Sequence, residues 1–388
     1  MITPTTPKAA LSALFAACLL MACGGSGSDA PPLSKITAVK VIGDSLSDSG
    51  TYGFKFTVQG SAATGAGAAV IWPEHVAAHY GQTLCAHYAS RDIEATGVAD
   101  FTSNAACGNY AVGAGRINHF TAPTSPASIR QQLKDAGSAG FDPGDLLLID
   151  GGANDLADLA GAYLAAPSDG GKAYAELLTT LIDAPTVQKA MGASTTRMGQ
   201  IGGLYAKVLA FHFADSIETH ALGKGARRVA VLNAPAITKT PRFQMVLGSI
   251  AQANGVEAAA QAEALFDSWV QLFNAELAED LAGDDRLVII DFYSAMKDQV
   301  AHPAKYQLTN STAPACPATG VDSSGLPRYT FATCTAASLS AMAAPVGASG
   351  GADWWKSYGF ADSFHPTPYF HQLTGDAVLR SLSKAGWR

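Results

Sequence analysis

Three short stretches carry residues fit for acid–base and nucleophilic chemistry. The first is IGDSLSDSG at 42–50, where a run of branched apolar residues gives way to Asp44, Ser45, Ser47, Asp48 and Ser49. The second is GGAND at 151–155, with Asn154. The third is DSFHPTP at 362–368. An Asp three residues before a His can fold its carboxylate back onto imidazole Nδ1. That fixes the tautomer and stabilises the imidazolium, leaving Nε2 to take a proton. Asp362 and His365 have this spacing, and the two prolines after His365 restrain the loop. A serine hydroxyl is a weak nucleophile at neutral pH and needs such a base. Taken alone, D-x-x-H is a weak signal in a chain with nine histidines, and a lone strand-end serine is more often a turn or cap residue.

Strands must bring these residues together. ITAVKVI (36–42), DLLLID (145–150), RRVAVLN (227–233) and RLVIID (286–291) are short, nearly continuous apolar runs. That is the pattern of parallel strands covered on both faces. Apolar residues recur at helical spacing in 71–81, 198–223 and 250–283. Strands alternating with helices predict an α/β fold with a parallel sheet. The strands stop at 43–45, at 151–155, at Asn233 and at Asp291. Ligand crevices in open α/β sheets lie at the carboxyl ends of the strands, so these residues are site candidates as a group. Two excursions, 156–196 and 306–352, show no strand series and are expected to be insertions that line or cover the site.

The blocks GDSLSDSG, GGAND and DSFHPTP occur in that order, with NYAVGAGRI (109–117) between the first two. Together they resemble the motif blocks of the GDSL, or SGNH, hydrolases. VLNAPAITKTP (231–241) and the segment 288–310 look like supporting parts of that family, so the resemblance covers most of 39–379. It implies a three-layer α/β/α sandwich, flavodoxin-like, with a mostly parallel sheet of about five strands and loop or helix insertions. It implies Ser45 as nucleophile, His365 as general base and Asp362 as the acid that orients it. Three donors would meet the oxyanion: the Ser45 backbone N–H, a backbone N–H within 113–115, and the Asn154 side chain. The family usually shows two glycines and then a small residue, whereas this chain has Gly113-Ala114-Gly115. Register on Asn109 and Arg116 puts Ala114 at the donor position. Ala serves there unless the position needs a positive φ, which only Gly adopts cheaply. Gly113 and Gly115 are the alternatives, and the sequence leaves the three open.

What the resemblance implies is a serine esterase or lipase. It would hydrolyse carboxylic esters, of lipid or short acyl chains, through an acyl-enzyme on Ser45, with no metal or cofactor. A carbohydrate O-deacetylase or acyltransferase using the same site is the alternative, because pocket shape and water exclusion choose the acceptor. A non-catalytic envelope binding lipoprotein is the third reading. GASGG at 347–351 matches the G-x-S-x-G elbow by letter, but an elbow needs a strand before it and a helix after. AASLSAMAAP and ADWWKSYGF supply neither, so Ser349 is set aside. Trp354 and Trp355 precede Asp362 and are candidates to line an acyl pocket.

Residues 1–22 read as an export signal: one Lys, then ALSALFAACLLM, too short to cross a bilayer. LMAC at 20–23 resembles a bacterial lipobox. That makes Cys23 the lipidated first residue of a cell-envelope protein, held on the outer-membrane or periplasmic side or released. Residues 23–35 form a flexible tether by composition, and 36–388 are expected to be one hydrolase domain. Export favours disulfides among Cys85, Cys107, Cys316 and Cys334. Of three connectivities, sequence proximity favours Cys85–Cys107 and Cys316–Cys334. Each would close a loop of about 20 residues, worth roughly 3 kcal/mol. No Cys/His spacing suits zinc. A net charge of -7, with no block of like charges, argues against a nucleic-acid partner. The expected partners are an ester substrate and, through the lipid, a membrane; the chain is expected to be a monomer. With 388 residues, 48% of them hydrophobic, it is long enough for one large core.

Overall fold

The computed structural model describes residues 34–387 except 61–68, 94–96, 193 and 324. The export signal, Cys23 and most of the tether lie outside the described residues. Four strands form the central sheet: β1 (Ala38–Ile42), β2 (Asp145–Ile149), β3 (Val229–Leu232) and β4 (Leu287–Ile290). They stand side by side in chain order, and every pairing is parallel.

Alternate residues of each strand feed two cores, which is why the strands read as nearly continuous apolar runs, interrupted in β1 by Lys40, which pairs with Asp145. Val39, Val41, Leu146, Leu148, Ala230 and Leu232 pack on one face. Ile42, Leu147, Ile149, Val229 and Val231 pack on the other. Adding each parallel strand on the same side of the last sends the crossovers over one face when they are right-handed. That face carries α2 (Ile129–Ala139), α3 (Ala153–Asp169), α6 (Thr195–His220) and α8 (Val256–Asp280), through Ile129, Leu156, Phe213 and Phe273. The short helices α4 (Lys172–Thr179) and α5 (Ala184–Met191) fill the excursion between α3 and α6. The opposite face is covered by α1 (Trp72–His79), α9 (Phe292–Ala301) and α11 (Pro368–Lys384), through Trp72, Val76, Phe292, Met296, Phe370 and Val378.

Three expectations change. The sheet has four strands among the described residues, not about five. The strand before α11, β6 (Tyr358–Phe360), pairs instead with β5 (Asn310–Pro314) in a separate two-stranded parallel sheet. The excursion 306–352 therefore does carry strands, and it supplies β6 with its partner. It also holds the one-and-a-half-turn helix α10 (Ala336–Ala341). The single helix expected over 250–283 is two, α7 (Pro241–Asn254) and α8, broken at Gly255 with φ 91°. Both disulfides join the neighbours in sequence, Cys85 to Cys107 and Cys316 to Cys334.

Gly161 lies inside α3, where an added Cβ would meet nothing within 4 Å. Glycine in a helix interior is destabilising by roughly 0.5–1 kcal/mol relative to alanine. Gly161→Ala is therefore expected to raise stability by about that amount, measured as a higher midpoint in urea with an unchanged slope.

Candidate active site

The turn after β1 is fastened from every side. The Gly43 N–H donates to Gln132 Oε1 at 2.9 Å, and the Leu46 N–H donates to Asp44 Oδ1 at 2.9 Å. Ser47 donates to Asp150 Oδ1 at 2.6 Å, which ties the turn to the end of β2. Ser49 accepts from Asn109 Nδ2 at 2.6 Å. Ser47 and Ser49 thus hold the turn, as expected for turn residues, and Ser45 is the serine left facing a base. Its Oγ lies 2.8 Å from His365 Nε2.

His365 arrives on the loop between β6 and α11. Asp362 shapes this loop before it does anything else: its Oδ1 accepts from the Phe364 N–H at 2.8 Å and the His365 N–H at 2.6 Å. The same carboxylate meets His365 Nδ1 at 2.9 and 3.0 Å. This is the fold-back that the D-x-x-H spacing predicts. Burial pushes the Asp362 carboxyl up, but the His365 charge and the hydrogen bonds from His365 and Phe364 outweigh it and hold the acid below its ordinary value. Thr367 caps α11, accepting from the Phe370 N–H, and Pro368 opens the helix. Thr57 donates to the Pro366 carbonyl at 2.8 Å and pins the far side of the loop.

The glycine block runs beside β1, with the Tyr110 N–H on the Val41 carbonyl at 2.8 Å and the Val112 N–H on that of Gly43 at 3.2 Å. Its three residues differ in what their N–H groups do. Gly113 donates to Asp48 Oδ2 at 2.8 Å, and Gly115 donates to the Val112 carbonyl at 3.0 Å. The Ala114 N–H has no partner among the described residues, and neither has that of Ser45. Ala114 sits at φ 62°. Glycine is required on either side of it. A Cβ on Gly113 would stand 2.2 Å from the Phe56 ring, and one on Gly115 would stand 2.9–3.2 Å from the backbone of Val112, Gly43 and Asp44.

The first turns of α3 grip this block. Asn154 Nδ2 donates to the Gly115 carbonyl at 3.0 Å and lies 3.4 Å from Asp44 Oδ2. Asp155 accepts from the Ile117 and Asn118 N–H groups. Asp158 holds Arg116 through two bonds, and Arg116 donates to the Ala114 carbonyl at 2.7 Å. Burial pushes both Asp48 and Asp155 up to about 6. Ser45, His365, Asp362, Asn154 and the 113–115 block are thus brought to one place at the carboxyl edge of β1 and β2.

A family model for GDSL-like lipases and acylhydrolases matches residues 39–378. The chain belongs to the GDSL-like lipase/acylhydrolase family. Family membership sets the coarse activity, hydrolysis of acyl esters, and agrees with the α/β fold. No curated protein matches the chain.

Not every strand-end residue of this GDSL-like chain joins the site. Asn233 accepts from the Tyr293 N–H and donates to Asp291, which caps α9 through the Ser294 N–H. Trp354 and Trp355 are buried in a separate core cluster with Phe331, Cys334 and Leu339, with their indole N–H groups on Leu339 and Ser340. Ser349 is exposed on a loop entering a short 3₁₀ turn, not on a strand-to-helix elbow.

Phe56 and Phe331, which the motifs did not announce, reach the site beside Phe364 of the DSFHPTP block. The rings of Phe56, Phe331 and Phe364 lie 5.2, 5.3 and 5.7 Å from that of His365, and Phe54 stacks on Phe331 at 6.1 Å. Phe331 has no sequence signal beyond its place between Cys316 and Cys334. A small apolar cavity of about 20 Å³ is bordered by Leu46, Ala153, Phe364 and Pro366, the chain neighbours of Ser45, Asn154 and His365. A larger one of about 770 Å³ lies between α6 and α8, walled by Leu204, Leu265, Trp269 and Leu272, and touches none of the site residues.

Proposed function

We propose that the protein is a serine ester hydrolase that works through an acyl-enzyme on Ser45. The observation that carries this reading is the unbroken chain from Asp362 through His365 to Ser45, with its 2.8 Å contact between Oγ and Nε2. His365 would take the Ser45 proton as Oγ attacks the ester carbonyl, and would then give it to the leaving alcohol. Water, activated by the same nitrogen, would release the acid. The oxyanion would be met by the N–H groups of Ser45 and Ala114 and by the Asn154 amide hydrogen that makes only the long 3.4 Å contact with Asp44 Oδ2, the other staying on the Gly115 carbonyl. Ala114 is favoured over Gly113 and Gly115 because its N–H alone of the three is uncommitted. Tyr52 Oη, 3.4 Å from the Gly113 carbonyl, meets the other end of that peptide unit, and the Arg116 bond to the Ala114 carbonyl holds the next one.

The aromatic wall beside His365 and the small apolar cavity favour apolar esters of short acids. A cavity of about 20 Å³ holds one group of about water or methyl size. Two disulfides fit an oxidising, exported setting, and an envelope lipoprotein anchored at Cys23 is our reading of the leader.

A fluorophosphonate probe is expected to label the native protein and not Ser45→Ala; equal labelling of both refutes Ser45 as nucleophile. A panel of p-nitrophenyl esters of rising chain length, phospholipids and acetylated glycans then separates the readings. Acetate and butyrate esters are expected to exceed octanoate in kcat/KM, and a preference for glycans would favour the deacetylase.

Ala114 gives a separate test. An L-residue in the left-handed region is strained by roughly 1–2 kcal/mol. Ala114→Gly is expected to raise stability by roughly 0.5–1 kcal/mol once the greater freedom of unfolded glycine is subtracted. A lowered thermal midpoint would contradict this account of the position.

A further inference from the structure

Asp150 ends the run from β2 and lies directly beneath the turn that carries Ser45. An added Cβ on Gly43 would stand 1.7 Å from Asp150 Oδ1, so the carboxyl fills the space under that turn. Asp44 and Asp150 are both buried, at 1% and 4% exposure. Asp150 Oδ1 accepts from Ser47 Oγ at 2.6 Å. Its Oδ2 is buried and no donor reaches it among the described residues. The two carboxyl groups face each other within hydrogen-bonding reach. Ionised carboxylates only accept, so such a contact requires a proton on one of them. A buried oxygen without a donor is accounted for when it is itself the donor.

The surroundings say which acid keeps the proton. Burial raises the Asp44 carboxyl, but the Leu46 N–H on Oδ1, the Asn154 amide 3.4 Å from Oδ2 and the His365 and Arg116 charges oppose the rise, so it goes less far than that of Asp150. Asp150 has the Ser47 hydroxyl and the Asp44 backbone N–H as donors, no cation beside it among the described residues, and the Asp44 carboxyl against it. Burial, and then the Asp44 charge, push its carboxyl well above the usual range.

We propose that Asp150 is a positioning residue that stays a neutral carboxylic acid and donates its proton to Asp44, so that the turn carrying Ser45 rests on a pair with one negative charge instead of two. A second charge would repel Asp44 and turn its Oδ2 away from Asn154. It would also add negative potential where the oxyanion forms. The effect on the reaction rests on Ser45 and Asn154 acting as proposed above; the protonated pair itself does not.

Infrared difference spectroscopy on the full chain at neutral pH tests the pair directly. The native protein minus D150N is expected to show the carbonyl stretch of a buried neutral carboxyl, and its absence overturns the proposal. Kinetics test the role. The Asn amide of D150N can donate to Asp44 and accept from Ser47, so this variant is expected to keep kcat near the native value. D150A is expected to lower kcat on the order of tenfold with KM little changed. D150N as impaired in kcat as D150A, or D150N alone losing tenfold if D150A does not fold, overturns the positioning role. If the infrared band is present but the native protein neither hydrolyses esters nor takes the fluorophosphonate probe, the proposed function fails and the shared proton stands.

Discussion

Ser45→Ala is expected to lower kcat/KM on a p-nitrophenyl ester on the order of 10⁵-fold, and His365→Ala by a similar factor. The two side chains act as one unit across their 2.8 Å contact. Removing the hydroxyl leaves the imidazole with nothing to deprotonate, and removing the imidazole leaves a hydroxyl that is almost wholly protonated at neutral pH. The double variant is therefore expected to be no worse than either single one. Asp362→Asn is expected to fall less far, on the order of 10⁴-fold, because Ser45 and His365 survive while the tautomer is wrong. Its backbone bonds to Phe364 and His365 can still be accepted by the Asn carbonyl, so the loop is expected to keep its shape and thermal stability. What remains above the uncatalysed rate in each variant reports the oxyanion donors alone. A His365→Ala protein with half the native rate would remove the base from the mechanism.

Gly43→Ala is expected to be strongly damaging, with the shortest added-Cβ contact of any glycine among the described residues. The new Cβ would overlap Asp150 Oδ1 at 1.7 Å. Asp150 can move aside only by giving up its bond from Ser47 and its pairing with Asp44, and the space around it is already filled. Overpacking costs about 1–3 kcal/mol, and each buried polar group stranded by the shift costs about 1–3 kcal/mol more. A loss of roughly 3–5 kcal/mol in unfolding free energy follows, with activity falling on the order of a hundredfold in whatever fraction folds, as Ser45 is displaced from His365. Gly53→Ala is the matched control: it lies in the same loop region at φ 80° with nothing within 4 Å of an added Cβ. It is expected to show only local backbone strain. Equal behaviour of the two variants would mean that the space under Gly43 is not what fixes the turn.

The strands and their ends were legible because burial on both faces leaves a compositional trace. Leu146 to Ile149 and Val229 to Leu232 are apolar without alternation for that reason, and only Lys40 interrupts Val39 to Ile42. The Asp362–His365 pairing was legible because its fold-back is local and follows from spacing. Disulfide partners were legible because they are close in sequence. Less local features were not. Whether 113–115 presents Gly or Ala to the site depends on Asp48 and Val112 taking the neighbouring N–H groups. Arg116 and Asp155 stand inside motif blocks, but no spacing tells that with Asp158 they clamp the glycine block to α3. Gly255 splits a helix whose periodicity runs on across the break. The separate pairing of β6 with β5 depends on a segment with no strong strand pattern.

The two phenylalanines on His365 come from remote parts of the chain, Phe56 from the loop after Ser45 and Phe331 from the disulfide-closed stretch between Cys316 and Cys334. One ring lies tilted at 35° to the imidazole and the other meets it edge-on at 83°. An imidazole on a flexible loop can spin about its Cβ–Cγ bond and spend much of its time with Nε2 turned from the serine. Here the two rings, which also pack on each other at 5.4 Å, crowd one side of the imidazole and restrict that rotation, and the Asp362 bond to Nδ1 selects one of the two flipped states. The ordering of the base is settled when the chain folds, not at each turnover, so the activation entropy of the first step excludes it. An excursion that looks like decoration on the sheet thus acts as a bearing that lets the reaction start from a single orientation of its base.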